Sequence, residues 1–399
     1  MTGDPGGGDS APASLRTLAR PIAAQVCIHA AMTGMRMAAP LLALQSGYGP
    51  AAVGFLLALF ALTQVFLALP AGRYADRHGL KRPVRLAVLA ASGGAALALA
   101  FPVFAALCVA ALLTGGATGV ATIALQRHVG RAAHGAAQLR SVFSWMAIGP
   151  AVANFLGPFS AGLLIDYAGA EAGSLAGFRA SFALLALLPL VTWLLVRAVR
   201  ELPPVAAPVG GPRPRAWDLL ADARFSRLLL VNWLLSSCWD VHTFVVPLLG
   251  HERGLSASSI GTILGVFAMA AAAIRLVIPL VAERLHEATV VAGAMVAAAL
   301  LFGVYPFLHT AMLMGACSAL LGLALGSVQP MVMSLLHQIT PEHRHGEALG
   351  LRVMAINASS VAMPLMFGSV GAAIGVGGLF WIVGAAVGLG SGVARRLRA

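Results

Sequence analysis

Long apolar runs, broken by short charged or Pro/Gly-rich stretches, dominate the pattern along the chain. A helix needs about 20 apolar residues to cross the hydrocarbon core of a membrane, and a strand edge exposed to lipid would leave backbone groups unpaired. The pattern therefore predicts an all-α membrane protein. Twelve transmembrane helices are predicted, at residues 21–45, 51–72, 84–101, 104–126, 139–165, 178–197, 225–249, 257–281, 288–307, 311–337, 348–370 and 374–394.

The two halves of the chain repeat one plan. A shift of 207 residues without a gap aligns Pro40 with Pro247, Gly54 with Gly261, Phe60 with Phe267, Asp76 with Glu283 and Arg77 with Arg284. Many secondary transporters use such repeats to place a site at mid-membrane between two related bundles. We therefore predict two pseudo-symmetric six-helix bundles. The predicted units are a disordered N-terminal tail at 1–14, an N-terminal bundle at 15–200, a cytoplasmic linker at 201–223 and a C-terminal bundle at 224–399.

Composition and charge narrow the class of protein. Hydrophobic residues make up 59% of the 399 residues and charged residues only 10%, whereas soluble domains carry about a quarter charged residues. The net charge of +12 would suit a nucleic-acid partner, but nearly all basic residues fall at one face of the predicted bundle. The exceptions are Arg36 and Arg275 inside predicted helices and Arg179 and Arg253 on the opposite face. The positive-inside rule then predicts an inner-membrane protein with both termini cytoplasmic and no nucleic-acid partner.

A compact charged motif ends the second predicted span. It consists of Gly72, Asp76, Arg77, Gly79, Lys81 and Arg82. A small residue at 72 lets a neighbouring helix approach closely, and a glycine at 79 permits a sharp turn. Because an aspartate among arginines can make and break ion pairs, we predict a cytoplasmic latch that holds the halves together. Glu283 and Arg284 form a degenerate second copy of this latch.

The spacing Gly-x-x-x-Asp-Arg-x-Gly-x-Lys-Arg in this motif resembles the signature of the major facilitator superfamily between spans 2 and 3. The resemblance implies twelve helices in two bundles around a central cavity that opens alternately to each side. In span 4, residues 114–119 are small where proton-coupled exporters of the family often have an arginine. A stretch in span 5 resembles the antiporter signature of the family and implies export by exchange. It comprises Gly149, Pro150, Gly157, Pro158, Ala161 and Gly162.

Asp240 is the only carboxylate well inside a predicted span, and such a group normally faces a cavity and has a partner. Arg36 is the candidate partner, because the repeat places it within about one helical turn of the same depth. The pair is either a static salt bridge or an exchanging pair, in which protonation of Asp240 or an anionic substrate releases Arg36. Further candidates for the cavity are His242, His29, Gln64, Asn154, Gln329 and Asn357.

Other polar residues have more ordinary expectations. Arg275 is expected to reach towards the interface or to support the second copy of the latch. His343 and His345 are expected in a solvent loop, where they form only a weak metal-binding pattern. The segment 217–227 has amphipathic spacing and is expected on the inner membrane surface.

The sequence contains no phosphate-binding Gly-x-x-x-x-Gly-Lys-Ser/Thr loop and no nucleophile-base constellation, so we expect no enzyme, cofactor or metal site. The preferred function is proton-linked export of a small organic molecule, with Asp240 as proton carrier and Arg36 as counter-ion. The alternative transporter takes up an organic anion, with Arg36 as carboxylate anchor. From another class, a membrane-embedded sensor would bind a ligand without transport. The expected partners are the substrate, protons and lipid, and the expected state is a monomer.

Overall fold

The computed structural model describes residues 15–48, 50–133, 135–169, 174–203, 215–253, 255 and 257–398. The predicted tail at 1–14 and the linker residues 204–214 lie outside this part of the chain. Within it, eleven α-helices are joined by short turns and short 3₁₀ segments. The helices are α1 Leu15–Gln45, α2 Pro50–His78, α3 Lys81–Ala100, α4 Phe104–Ala132, α5 Gly135–Tyr167, α6 Leu175–Arg197, α7 Ala223–Glu252, α8 Ala257–Val281, α9 Glu287–Val304, α10 Ala311–Ile339 and α11 His345–Arg395.

The predicted all-helical membrane class is confirmed. Ten segments of the described chain, in α1–α6, α8–α10 and the last part of α11, are long and apolar enough to cross a membrane. The first ten predicted spans correspond to α1–α10 in order. The second span extends further than expected, because α2 continues to His78. Asp76 is therefore helical, and the turn into α3 is confined to Gly79 and Leu80. Gly79 has φ +74°, a conformation that glycine adopts without steric cost.

The eleventh and twelfth predicted spans fall within a single helical element, α11, of 51 residues. A straight helix of that length would extend about 76 Å. Gly346 near its start lies against Gly72, whereas Gly390 near its end lies against Met295 in the first half of α9. Because α2 ends and α9 begins at the same face, α11 reverses direction along its length. The count of twelve separate helices stays a prediction.

The repeat seen in the sequence recurs as a repeated helix contact. Gly115 of α4 lies so close to the backbone of Phe60 in α2 that a Cβ would overlap the Phe60 carbonyl oxygen. Gly322 of α10 has the same relation to Phe267 of α8. Both partners in the second contact are 207 residues beyond those in the first. Small residues let apolar helices approach closely where lipid gives no hydrophobic driving force, so the two halves use the same device at equivalent places.

The halves meet chiefly through α2 against α11 and through α5 against α8 and α10. Most of the described polar contacts between the halves lie towards the ends of these helices, at the face that carries most arginines, which we call the basic face. Helices α1 and α7, the first of each half, share at most a weak contact over the described residues. The bundle is therefore closed at the basic face.

Candidate functional site

Asp76 joins the two halves at the basic face. Its Oδ1 accepts hydrogen bonds from Arg127 Nε at 2.6 Å and from the backbone N–H of Gly346 at 2.8 Å, and its Oδ2 accepts from the N–H of Glu347 at 3.0 Å. The Asp76 and Arg127 side chains are 8% and 3% exposed. The first amides of a helix have no partner within that helix and carry its positive dipole end. Asp76 thus caps α11 of the other half while Arg127 balances its charge.

Two glycines make this approach possible. A Cβ on Gly72 would overlap the carbonyl oxygen of Gly346, and a Cβ on Gly346 would overlap that of Gly72. One turn further into the membrane, Gly350 lies equally close to the backbone of Ala68. Any side chain at these glycines forces α2 and α11 apart. We call the cluster of Gly72, Asp76, Arg127, Gly346 and Glu347 the first latch.

Further ion pairs extend the first latch. Glu347 accepts from Arg73 Nε at 2.8 Å and from Arg344 Nε at 2.9 Å, and Arg131 Nε lies 2.7 Å from Glu342 Oε1. The described ion pairs do not include Arg77, Lys81 or Arg82.

The turn after α2 is held separately. Glu201 accepts from the backbone N–H of Leu80 at 2.6 Å and of Lys81 at 3.1 Å. A carboxylate at these positions satisfies the free amides at the start of α3. Gly79 leaves room for it, because a Cβ there would overlap Glu201 Oε1.

A second contact between the halves does not use Glu283 and Arg284, the residues predicted for the second copy of the latch. Glu283 and Arg284 are exposed and form none of the described ion pairs. Instead, Arg140 of α5 donates to Glu287 Oε1 of α9 at 2.8 Å and to the Ala282 carbonyl at 2.8 Å. Glu287 also accepts from Ser334 Oγ at 2.8 Å and Gln338 Nε2 at 2.7 Å. We call Arg140, Glu287, Ser334 and Gln338 the second latch.

Sequence reasoning missed Arg127, Arg140 and Glu287. The internal repeat offered one clue to these contacts. The 207-residue shift that aligns Asp76 with Glu283 also aligns Arg140 with Glu347. Equivalent positions near the starts of α5 and α11 therefore carry opposite charges, and both side chains form ion pairs between the halves.

Arg275 fastens the same contact deeper in the membrane. Its guanidinium is buried and donates to the Ala147 carbonyl at 2.9 Å and to the Gly326 carbonyl at 3.3 Å. Ser144 Oγ in turn donates to the backbone carbonyl of Arg275. One arginine thus connects α5 of the first half to α8 and α10 of the second.

Arg36 and Asp240 are not joined to each other by any described ion pair or hydrogen bond. Arg36 is more than a third exposed, and Asp240 is half-buried and takes part in an interaction of its own. On the N-terminal side, Asn154 and Arg36 both lie close enough to His29 to act on its ring. The structure therefore groups three predicted residues, Arg36, His29 and Asn154.

The remaining cavity candidates lie in different surroundings. His242 is fully buried, 2.9 Å from Ser318 Oγ, with its ring stacked on Phe267 at 4.0 Å, so it belongs to the interior of the second half. Gln64 and Asn357 donate to carbonyls of their own helices at 3.5 and 2.9 Å. Gln329 is half-buried.

The span-5 motif packs α5 against α1. A Cβ on Gly157 would overlap Thr33 Oγ1 and the Ala30 carbonyl, and Thr33 Oγ1 donates to the Ala153 carbonyl at 3.0 Å. Ala161 is fully buried. Helix α5 is continuous through the two prolines of the motif. The other motif residues, Gly149 and Gly162, have ordinary van der Waals contacts with α1.

Known proteins agree on the fold. The family profile of the Major Facilitator Superfamily matches residues 22–361 and 228–398, while no curated protein matches the sequence. A bacterial homologue of the iron transporter ferroportin, in an outward-facing state, has a TM-score of 0.80 at 16% identity and covers 96% of this chain and 100% of its own. The human organic anion transporter MFSD10 gives 0.76 at 17% identity, with 95% and 99% covered. The proton:xylose symporter XylE gives 0.72 at 13% identity, with 93% and 94% covered.

At these identities the similarity shows a shared fold only. The family profile, by contrast, covers most of the sequence and includes the charged motif at the end of α2. The resemblance found in that motif is confirmed, and the chain belongs to the Major Facilitator Superfamily.

Proposed function

We propose that the protein is a secondary active transporter that moves a small organic molecule across the inner membrane by alternating access. The single observation that carries this proposal is the closure of the bundle at one face: two buried polar clusters join the halves at the basic face, while α1 and α7 share at most a weak contact over the described residues. In this proposal two six-helix bundles of a twelve-helix protein rock against each other, and the two latches open and close.

The positive-inside rule assigns the basic face to the cytoplasm. Under that orientation both termini are cytoplasmic, and the structure represents an outward-facing state. The similarity to a structure solved in an outward-facing state supports this assignment of state. The structural neighbours include a symporter and an organic anion transporter, so direction and coupling have to come from residues of this chain.

Proton-linked export is the function we favour, with Asp240 as proton carrier and Arg36 as its counter-ion. Asp240 lies in α7 and Arg36 in α1, the equivalent first helices of the two halves. Alternating access changes the distance between these helices, so in this proposal the pair forms in one state and breaks in the other. One positive charge crossing 100 mV releases about 2.3 kcal/mol, enough for a roughly fifty-fold solute gradient.

Transport into proteoliposomes tests this assignment. We expect Asp240→Asn to abolish uphill transport driven by a pH gradient, while exchange without a gradient persists. Asp166→Asn is the matched control, because Asp166 is exposed near the end of α5, and it should behave as the parent protein. Uphill, gradient-driven transport by Asp240→Asn at the parent rate would remove Asp240 from the mechanism.

A second candidate, uptake of an organic anion, is favoured by the exposure of Arg36. A charged side chain within an apolar helix is costly unless it faces water or an opposite charge, and none of the described ion pairs includes Arg36. In this alternative Arg36→Gln abolishes binding of the anion, whereas under export it mainly changes the pH dependence of transport. Ligand binding without any flux would instead support a sensor.

A further inference from the structure

Two imidazole rings lie in the closed basic face and belong to neither latch. His337 near the end of α10 and His345 at the start of α11 are both buried, with ring centroids 4.4 Å apart. The His337 ring also packs on Phe143 of the other half, at 4.7 Å. The expectation that His345 lies in a solvent loop is therefore wrong, because the turn after α10 folds back beneath α11.

Hydrogen bonds fix where the protons on these rings are. His337 Nδ1 lies 3.0 Å from the Met333 carbonyl, and His345 Nε2 lies 3.2 and 3.0 Å from the carbonyls of His337 and Thr340. A carbonyl only accepts, so these nitrogens carry the hydrogen. The other nitrogens, His337 Nε2 and His345 Nδ1, are buried without a hydrogen-bond partner among the described residues. Both rings are thus held as neutral tautomers with a bare, enclosed nitrogen.

The backbone of the first half encloses one of these nitrogens. Gly130 of α4 lies directly against the His337 ring, because a Cβ at position 130 would overlap Nε2. His337 belongs to the second half and Gly130 to the first. The nitrogen is therefore shielded from water by the contact that must separate when the basic face opens.

The charged groups near the two rings are already engaged with other groups. Arg127 from α4 is paired with Asp76 from α2, which also accepts from the N–H of Gly346 next to His345. Glu287 from α9 contacts Ser334, one turn before His337. Arg127 acts on both rings, and Glu342 acts on His345. Glu287 is already engaged by Arg140, Ser334 and Gln338, and Glu342 is engaged by Arg131.

We propose that His337 and His345 bind protons from the cytoplasm and that this protonation favours the state in which the basic face is open. The proposal rests on the alternating closure proposed above. In the closed state a second N–H on either ring finds no acceptor among the described residues, and the Phe143 face offers His337 only a weak cation–π attraction. In the open state water accepts that hydrogen bond. Because protons then bind the open state more tightly, acid shifts the equilibrium towards opening, by up to about tenfold per pH unit for each proton taken up.

Single-molecule fluorescence between dyes on the two halves tests the proposal in nanodiscs without any substrate. Suitable exposed positions at the basic face are Arg85→Cys in α3 and Arg396→Cys after α11, in a background that lacks the four native cysteines. We expect the open population of this parent protein to rise several-fold from about pH 7.5 to about pH 5.5, the range in which histidine titrates.

Two variants remove the titration and keep the existing hydrogen bonds. His337→Asn retains a donor near the Nδ1 position, and His345→Gln retains one near the Nε2 position. Each should lose a large part of the pH response. His309→Gln, at an exposed histidine of the opposite face, should keep all of it. A parent protein with the same open population at both pH values would overturn the proposal, and so would a full response in both variants.

If His337→Asn does not fold, the parent titration and His345→Gln decide the outcome. Solute flux in proteoliposomes, measured separately, distinguishes this proposal from the transporter proposal. A pH-responsive gate without flux of any solute would refute transport and support the histidine assignment. Flux through a gate that does not respond to pH would do the reverse.

Discussion

The two latches occupy equivalent places in the repeated halves but distribute their charges differently. In the first latch the buried ion pair, Asp76 with Arg127, lies within the N-terminal half and contacts the other half through backbone amides. In the second, the buried ion pair itself spans the halves, from Arg140 to Glu287. Opening the basic face thus leaves the first ion pair intact and separates the second.

This difference teaches that the latches have different energetic roles. Separating the first latch exposes the N-terminus of α11, which Asp76 caps in the closed state. Water can then hydrogen-bond to the freed amides at little cost in free energy. Separating the second breaks a pair whose carboxylate and guanidinium are 11% and 6% exposed. Buried pairs are costly to break when one partner stays buried. We therefore expect the ion pair of the second latch to control the gate equilibrium, and the Asp76–Arg127 pair of the first latch to control mainly the stability of its own half.

The largest effect is expected from Glu287→Gln. This change leaves Arg140 buried without a counter-ion in the closed state, at a cost of about 3–5 kcal/mol, whereas in the open state Arg140 is hydrated. The penalty falls on the closed state, so the open population should rise strongly in the single-molecule fluorescence measurement.

Arg127→Gln is the matched comparison for Glu287→Gln, because it also removes one partner of a buried pair. Both members of that pair stay together in either state, so we expect a lower melting temperature with a smaller change in the open population. Equal gate shifts in the two variants would contradict the proposed division of roles.

An intermediate effect is expected from Gly346→Ala. The added methyl group overlaps the Gly72 carbonyl in the closed state, and overpacking of this kind typically costs about 1–3 kcal/mol. The open population should rise accordingly. Gly392→Ala in the same helix is the control, because nothing lies within 4 Å of a Cβ there. It should leave the gate unchanged, and a gate shift of equal size in both variants would argue against close packing as the cause.

The smallest effect is expected from Glu342→Gln. Its pair with Arg131 spans the halves, but the Glu342 side chain is 53% exposed, and exposed pairs contribute about 0–1 kcal/mol. The open population should change by less than about fivefold, and the change should shrink at high salt. A shift as large as that of Glu287→Gln would show that burial does not decide which pair controls the gate.

The sequence was informative where function depends on local spacing. Helices α1 to α10 followed from apolar length, and the glycine at 72 and the aspartate at 76 followed from a compact motif. Family membership rests on the same motif. These features are legible because each depends on residues within a few turns of one another.

Long-range partners were harder to predict. From the sequence, Arg127 and Arg140 could be recognised only as two of the many basic residues at one face of the bundle. Nothing in the neighbouring sequence indicates which acidic residue each of them contacts. Glu287 opens a helix, where an acid is ordinarily explained by the dipole. Asp240 and Arg36 were matched by depth in the repeat, but depth does not specify the conformational state in which two helices meet. Which side chains pair across the bundle depends on how far one half has rotated relative to the other.

Both ends of the central connection are tied to the closed side. Arg131 donates to the Pro203 carbonyl at 2.9 Å, and Arg344 donates to the Arg215 carbonyl at 2.7 Å. These attachment points are 12 residues apart in the sequence, and a fully stretched chain of that length reaches roughly 40 Å. While both carbonyls remain bound, the length of the connection limits how far the two attachment points can separate. Shortening the connection by deletion would therefore restrict the movement of one half relative to the other without altering any residue of either bundle.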